Sequence, residues 1–192
     1  MAEPRRNEVI LNLPNSLTFL RLLSVPFVVV CLYFPGRWGS FLAAFLFGAA
    51  FTTDFLDGFF ARKYQAVTIL GKLLDPVADK ILVSVTLIAL VSLGRVHAWM
   101  VMLLIAREIA VTGLRGIAAM EGLVIQASAL GKYKTVFQAV AVAVLSLHYE
   151  YFEIDFHTVG LSLFWIALIF TLWSGWDYFR RFRAVFSPGH RT

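Results

Sequence analysis

Four aspartates sit where a strongly apolar chain should not tolerate them. Asp54, Asp57, Asp75 and Asp79 fall within DFLDGFFARKYQAVTILGKLLDPVADK, residues 54–80, with long apolar stretches on both sides. An ionised carboxylate near the centre of a bilayer-spanning helix costs ~2.5–3.5 kcal/mol on insertion scales. Four of them must lie near an interface, bind cations, or both. Carboxylate oxygens are the ligands that hard divalent cations such as Mg²⁺ and Mn²⁺ prefer. The expected chemistry is that of a metal site at a membrane surface, acting on a charged, phosphate-bearing substrate.

Helical spacing sharpens this expectation. Asp54, Asp57, Gly58, Ala61 and Arg62 fall at i, i+3, i+4, i+7 and i+8, one face of a helix. Gly71, Asp75 and Asp79 fall at i, i+4 and i+8, again one face. The eight residues between Arg62 and Gly71 suffice to turn the chain back. Two antiparallel helices would then present two carboxylates each to a shared space. Such a set can hold two divalent ions about 4 Å apart, the arrangement that stabilises both attacking and leaving oxygens in phosphoryl transfer. Gly58, Ala61 and Gly71 leave room for a phosphate or a flat base against the backbone. Arg62 can fork onto a phosphate. Asn15 and Thr18, at the same membrane level, supply further polar contacts. Pro76 is expected in the first turn of its helix, whose amino end would favour phosphate. A purely structural alternative has the aspartates capping helices or pairing with Arg62, Lys63, Lys72 and Lys80. Four acids on two stripes with small residues between them argue against it.

The elements that must position these residues are membrane helices. The chain has 192 residues, 59% of them hydrophobic, and a mean hydropathy of +0.76. Soluble domains are about 45–50% apolar. The fold class expected is all-α and integral to the membrane, a six-helix bundle with a short N-terminal interfacial segment. The spans predicted are 17–34, 38–61, 74–93, 99–120, 133–148 and 158–179. Residues 1–16 form a juxtamembrane segment, 17–180 the membrane domain and 181–192 a basic tail. Pro26 is expected to kink the first span. Positive charge alternates between the joins: Arg5 and Arg6, then Arg62, Lys63 and Lys72, then Lys132 and Lys134, then Arg180, Arg181 and Arg183. The intervening joins carry Arg37, Arg95 and no cation at all. By the positive-inside rule both termini and the aspartates face the cytoplasm. Cys31 is alone, so no intrachain disulfide can form. The histidines show no metal-ligand spacing and are placed at the surface. No nucleic-acid partner is expected.

The pattern Asp54-x2-Asp57-Gly58-x2-Ala61-Arg62-x8-Gly71-x3-Asp75-x3-Asp79 resembles the signature of the CDP-alcohol phosphotransferase family, with every defining position filled. NLPNSLTFLR at 12–21, LGKLLDPVADK at 70–80, AREIAVTGLR at 106–115 and GKYKT at 131–135 are similar to the bacterial phosphatidylglycerophosphate synthase branch of that family. The resemblance implies a homodimeric six-helix enzyme of the bacterial inner membrane, open to the cytoplasmic leaflet. It implies that Asp54, Asp57 and Asp75 are ligands to Mg²⁺ or Mn²⁺, with Asp79 both ligand and general base. It assigns Gly58, Ala61, Arg62, Thr68 and Gly71 to the CDP moiety of CDP-diacylglycerol. The implied acceptor is sn-glycerol 3-phosphate.

An acceptor with a phosphate dianion needs spare cations, and Arg107, Arg115, Lys132 and Lys134 are the candidates. Arg107 has a competing role, because Glu108 beside it could form a buried ion pair. Arg21 is read as reaching to the cytoplasmic interface rather than to the nucleotide. Two rival functions remain at this stage. One keeps the chemistry but uses inositol phosphate, serine or phosphatidylglycerol as acceptor. The other is a divalent-cation transporter built on the same aspartates, although no inverted repeat is visible.

Overall fold

The computed structural model describes residues 13–64, 69–121 and 129–186, with side chains described for 18–53, 77–121 and 133–183. Among these residues the order is α1 (Leu13–Tyr33), α2 (Arg37–Tyr64), α3 (Ile69–Ser92), α4 (Ala98–Met120), α5 (Ala129–Leu147), β1 (Glu150–Tyr151), β2 (Ile154–Asp155) and α6 (Phe156–Phe186). The chain divides into two compact units, residues 1–86 and 87–192.

In the first unit α1 packs on α2. Val25, Val28 and Leu32 of α1 are buried, as are Ala43, Ala44 and Phe47 of α2. Pro14 takes the second position of α1, where no intrahelical N–H is required. The helix continues through Pro26, as the expected span did. The α1–α2 turn uses Gly36 at φ +95, a left-handed conformation that costs glycine little. Just beyond it, α2 begins against the end of α1. A Cβ on Gly39 would lie 2.5 Å from the Phe34 carbonyl oxygen and 2.8 Å from that of Cys31.

One expectation fails in α3. The helix starts at Ile69, not near Leu74, so Pro76 is its eighth residue rather than part of its first turn. The helix amino end, with its partial positive charge, therefore lies about three turns before Asp79 and about two before Asp75. The apolar pattern that located the span could not see the polar turns that extend it. Of Val9–Leu13, the segment expected along the interface, Leu13 instead opens α1, and Val9 to Asn12 lie outside the described residues.

In the second unit α6 packs against both α4 and α5. Phe164, Ala167 and Leu168 of α6 are buried, as are Met100 and Leu104 of α4 and Val142 and Leu145 of α5. Phe137 and Phe170 stack with ring centroids 5.5 Å apart, and Trp99 meets Trp165 edge-on, also at 5.5 Å. Gly160 lets α6 approach closely, since a Cβ there would lie 2.9 Å from the Leu145 backbone nitrogen. The α3 terminus closes with Gly94 N–H bonded to the Val91 carbonyl and Arg95 N–H to the Leu90 carbonyl, each at 2.9 Å. That pair of bonds is a Schellman motif. Arg95 itself is buried and donates to the Ser146 carbonyl at 2.8 Å.

The polar HYEYFEIDFH stretch, which joins the fifth and sixth predicted spans, holds a two-stranded antiparallel hairpin pairing Glu150 with Asp155 and Tyr151 with Ile154. Its loop residues, Phe152 and Glu153, both have positive φ, as two-residue hairpin loops require. The fold is therefore mostly helical, but not purely so. Asp155 then caps α6, accepting from the His157 N–H and the Thr158 hydroxyl. The Thr158 hydrogen bond, ahead of the N–H bonds, holds this carboxyl below its ordinary range. A depressed carboxyl stabilises the fold above its unfolded-state pKa, and that contribution is lost as pH falls through the folded value.

Residues 156–183, nearly all of α6, are long and apolar enough to cross a membrane; Thr18–Tyr33 and Tyr133–Leu147 are shorter apolar helices among the described residues. Large apolar side chains lie exposed on several helices, including Phe27, Phe45, Met102, Ile109 and Trp173. So much exposed apolar surface suits contact with lipid.

Gly39→Ala is expected to lower the unfolding midpoint in detergent, at a cost of about 1–3 kcal/mol, because backbone rather than a pliable side chain obstructs the new methyl. Thermal unfolding of the purified protein reads this directly.

Candidate functional site

Helix α2 runs unbroken through Asp54, Asp57, Gly58, Ala61 and Arg62, and α3 through Gly71, Asp75 and Asp79. Their spacing therefore places each set along one face of its own helix. Of the four aspartates only Asp79 has a described side chain. The side chains of Asn15 in α1 and Lys132 in α5 also lie outside the described residues, as does Thr68 altogether. Among the described residues no cluster of three metal-ligating side chains occurs.

Asp79 does not stand alone. Its Oδ1 accepts a hydrogen bond from Arg21 Nη1 at 2.7 Å. The Arg21 side chain is 2% exposed and that of Asp79 36%. A guanidinium so fully removed from water needs a carboxylate partner. Arg21 was expected to reach for the interface, and the structure corrects this: it turns inward and holds an acid from a helix distant in sequence. Apolar periodicity carries no signal for such a pairing. Thr18, one turn earlier on α1, is buried too. An apolar groove of about 320 Å³ passes beside Arg21, lined by Leu20, Leu23 and Phe27 of α1 and Leu46 and Ala49 of α2.

The second unit holds a cationic cluster around one acid. Glu108 Oε2 accepts from Arg107 Nη1 at 3.2 Å and from Lys134 Nζ. Arg107 Nη2 donates to Ser174 Oγ at 2.8 Å. Ser174 in turn donates to the Thr171 carbonyl at 3.1 Å, which leaves its oxygen lone pairs toward the arginine. The competing reading of Arg107 as an ion-pair partner of Glu108 thus holds, and Lys134 joins the same acid. Two cations thus share one carboxylate in a largely buried place. Arg115, two turns beyond Arg107 on α4, is exposed and sits over the Tyr178 ring with 5.7 Å from Cζ to the ring centroid. The exposed Arg115 guanidinium suits an anion, phosphate above all.

Sequence reasoning missed the placement of four residues. Ser174 and Tyr178 lie in the last helix, where no motif marked them. His148 and His157, placed separately at the surface, come within 3.3 Å through their Nδ1 atoms because the hairpin folds the join back on itself.

Against known proteins, the CDP-alcohol phosphatidyltransferase family model matches residues 11–173. A CDP-diacylglycerol–glycerol-3-phosphate 3-phosphatidyltransferase of Bacillus subtilis (strain 168) is 44% identical over 183 residues, covering 88% of this chain and 94% of the relative. A protein of the same name from Rickettsia bellii (strain RML369-C) is 38% identical over 176 residues, covering 91% and 97%. One from Shigella flexneri is 39% identical over 183 residues, covering 90% and 96%.

Glu108→Gln removes the acid that two cations share, and is expected to cost on the order of 2 kcal/mol, discounted from the fully buried case because Glu108 is partly exposed. Adding Lys134→Met should restore part of that loss. A double-mutant cycle on unfolding midpoints measures it, and strict additivity would mean that the cluster is not coupled.

Proposed function

The chain belongs to the CDP-alcohol phosphatidyltransferase family, and we propose that it transfers the phosphatidyl group of CDP-diacylglycerol to sn-glycerol 3-phosphate, releasing CMP. The observation that carries this reading is the eight-position Asp-Gly-Ala-Arg pattern on two helices that the structure keeps continuous, α2 and α3. The names of relatives at 38–44% identity over most of their length support the donor and the acceptor.

The donor set fits a hard divalent cation. Asp54, Asp57, Asp75 and Asp79 offer carboxylate oxygens only, at helical spacing, without the sulfur or imidazole that would favour a softer metal. When bound, Mg²⁺ or Mn²⁺, two ions in our reading, would neutralise the diphosphate and the charge developing on the departing CMP oxygen. The protein's own residues do the rest. Gly58, Ala61 and Gly71 keep the helix surfaces low enough for the cytidine and phosphates to approach. Arg62, Thr68, Asn15 and Thr18 contact the CDP portion. The groove beside Arg21 suits an acyl chain of the donor.

Asp79 takes the proton from the primary hydroxyl of glycerol 3-phosphate as that oxygen bonds to the phosphorus carrying diacylglycerol. The bond from that phosphorus to the CMP oxygen breaks. Arg21, bonded to Oδ1, holds the Asp79 carboxylate in one orientation for this transfer. Arg107, Arg115, Lys132 and Lys134 bind the acceptor phosphate. The product stays in the membrane. Six spans, cytoplasmic termini, a bacterial inner membrane and a homodimer complete the proposal; the exposed apolar surface and the alternation of basic joins support the membrane arrangement.

Purified protein in mixed micelles, given CDP-diacylglycerol and Mg²⁺, should release CMP with glycerol 3-phosphate. Release only with inositol phosphate, serine or phosphatidylglycerol would overturn the acceptor. Cation flux into liposomes without any CMP release would instead make the protein a transporter. Asp79→Asn should lower kcat by about 10²–10⁴-fold while donor binding persists; parent-level turnover would remove Asp79 from the base role. Full activity after exhaustive chelation would remove the metal.

A further inference from the structure

Helix α6 contributes none of the family's signature residues, yet it touches both described arginines assigned to the acceptor phosphate. Ser174, Gly175 and Tyr178 fall at i, i+1 and i+4, so they occupy neighbouring positions on the helix. Ser174 Oγ accepts from Arg107 Nη2 at 2.8 Å. Gly175 lets the α6 backbone lie against the same side chain: a Cβ there would come within 3.0 Å of both Cγ and Nε of Arg107. Arg107 Nε is buried with no hydrogen-bond partner among the described residues, as that close approach requires. One turn later the Tyr178 ring, 5% exposed, lies beneath the exposed Arg115 guanidinium.

We propose that Ser174, Gly175 and Tyr178 form a positioning strip that orients Arg107 and Arg115 for a phosphomonoester acceptor, making α6 a determinant of acceptor specificity. The inference rests on the assignment of those arginines to the acceptor phosphate and extends it to an element outside the signature. The physical reason is entropic as well as electrostatic. A guanidinium on a free three-carbon stem samples many rotamers, and binding an anion must freeze it. A buried hydroxyl, a backbone wall and an aromatic face hold two arginines before the acceptor arrives. The aromatic face also leaves the guanidinium edge, with its N–H groups, open to a planar pair of phosphate oxygens. None of the three touches the reacting atoms in this scheme. Each acts through an arginine.

The test measures kcat and KM for glycerol 3-phosphate, and the preference for glycerol 3-phosphate over glycerol, on full-length protein in mixed micelles with CDP-diacylglycerol. Tyr178→Leu removes the ring face and should raise KM for glycerol 3-phosphate by about tenfold, with the preference over glycerol falling as much. kcat and the KM for donor should stay within about twofold, since a ligand-positioning role falls on binding of one substrate. Tyr178→Phe keeps the face, and its lost hydroxyl had no hydrogen-bond partner among the described residues, so it should restore the parent KM. Gly175→Ala, which adds one methyl against Arg107 and changes no charge, tests the other arm in a protein that should fold, and should also raise KM selectively. Combining Tyr178→Leu with Arg115→Ala should add nothing to Arg115→Ala alone.

Two failures are distinguishable. If Arg115→Ala and Arg107→Ala leave KM for glycerol 3-phosphate unchanged, the assignment of the acceptor cations is wrong. If those variants raise KM but Tyr178→Leu and Gly175→Ala do not, or if Tyr178→Phe behaves like Tyr178→Leu, the positioning strip is wrong.

Discussion

A charge taken out of water must find an opposite charge, and that constraint organises the described structure. Arg21 is almost wholly buried among apolar neighbours, and Asp79 answers it from another helix. Arg107 and Lys134 are largely buried, and Glu108 answers both. The Arg21–Asp79 and Lys134–Glu108 pairs link helices that the chain could otherwise pack in several rotational settings. Apolar side chains fill space without specifying which face meets which. A guanidinium facing a carboxylate does specify it, because the wrong rotation strands a charge at a cost of several kcal/mol.

The same pairs bear on the proposed reaction. Arg21 holds one oxygen of Asp79, so in the proposed role as base that carboxylate would act from a set orientation rather than a spread of rotamers. Around Glu108, Arg107 and Lys134 share one acid, and in the proposed reaction these cations would meet the acceptor phosphate.

Much of the helical layout was legible in the sequence. Apolar runs located the helices, and the aspartate spacing fits the continuous helices α2 and α3. The errors have physical causes. The start of α3 was placed too late because its first turns, with Gly71, Lys72 and Asp75, do not look apolar, and Pro76 was taken as a start signal when it lies inside the helix. The hairpin at 150–155 was missed because its loop residues, Phe152 and Glu153, adopt left-handed conformations without the glycine or asparagine that usually announces them. Arg21 was misplaced because its partner is far away in sequence. Ser174 and Tyr178 gave no signal, since a serine and a tyrosine in an apolar helix look like packing until the arginines beside them are seen.

Gly160 and Gly175 give α6 a property that neither has alone. The first is pressed against Leu145 of α5 and the second against Arg107 of α4. The stretch between them is consequently held at both ends, by the backbone and side chain of Leu145 at one and by the Arg107 side chain at the other. Adding or deleting one residue in that interval would swing everything beyond it by about 100° around the helix axis. The residue count of that stretch therefore sets how α6 meets α5 and α4 together.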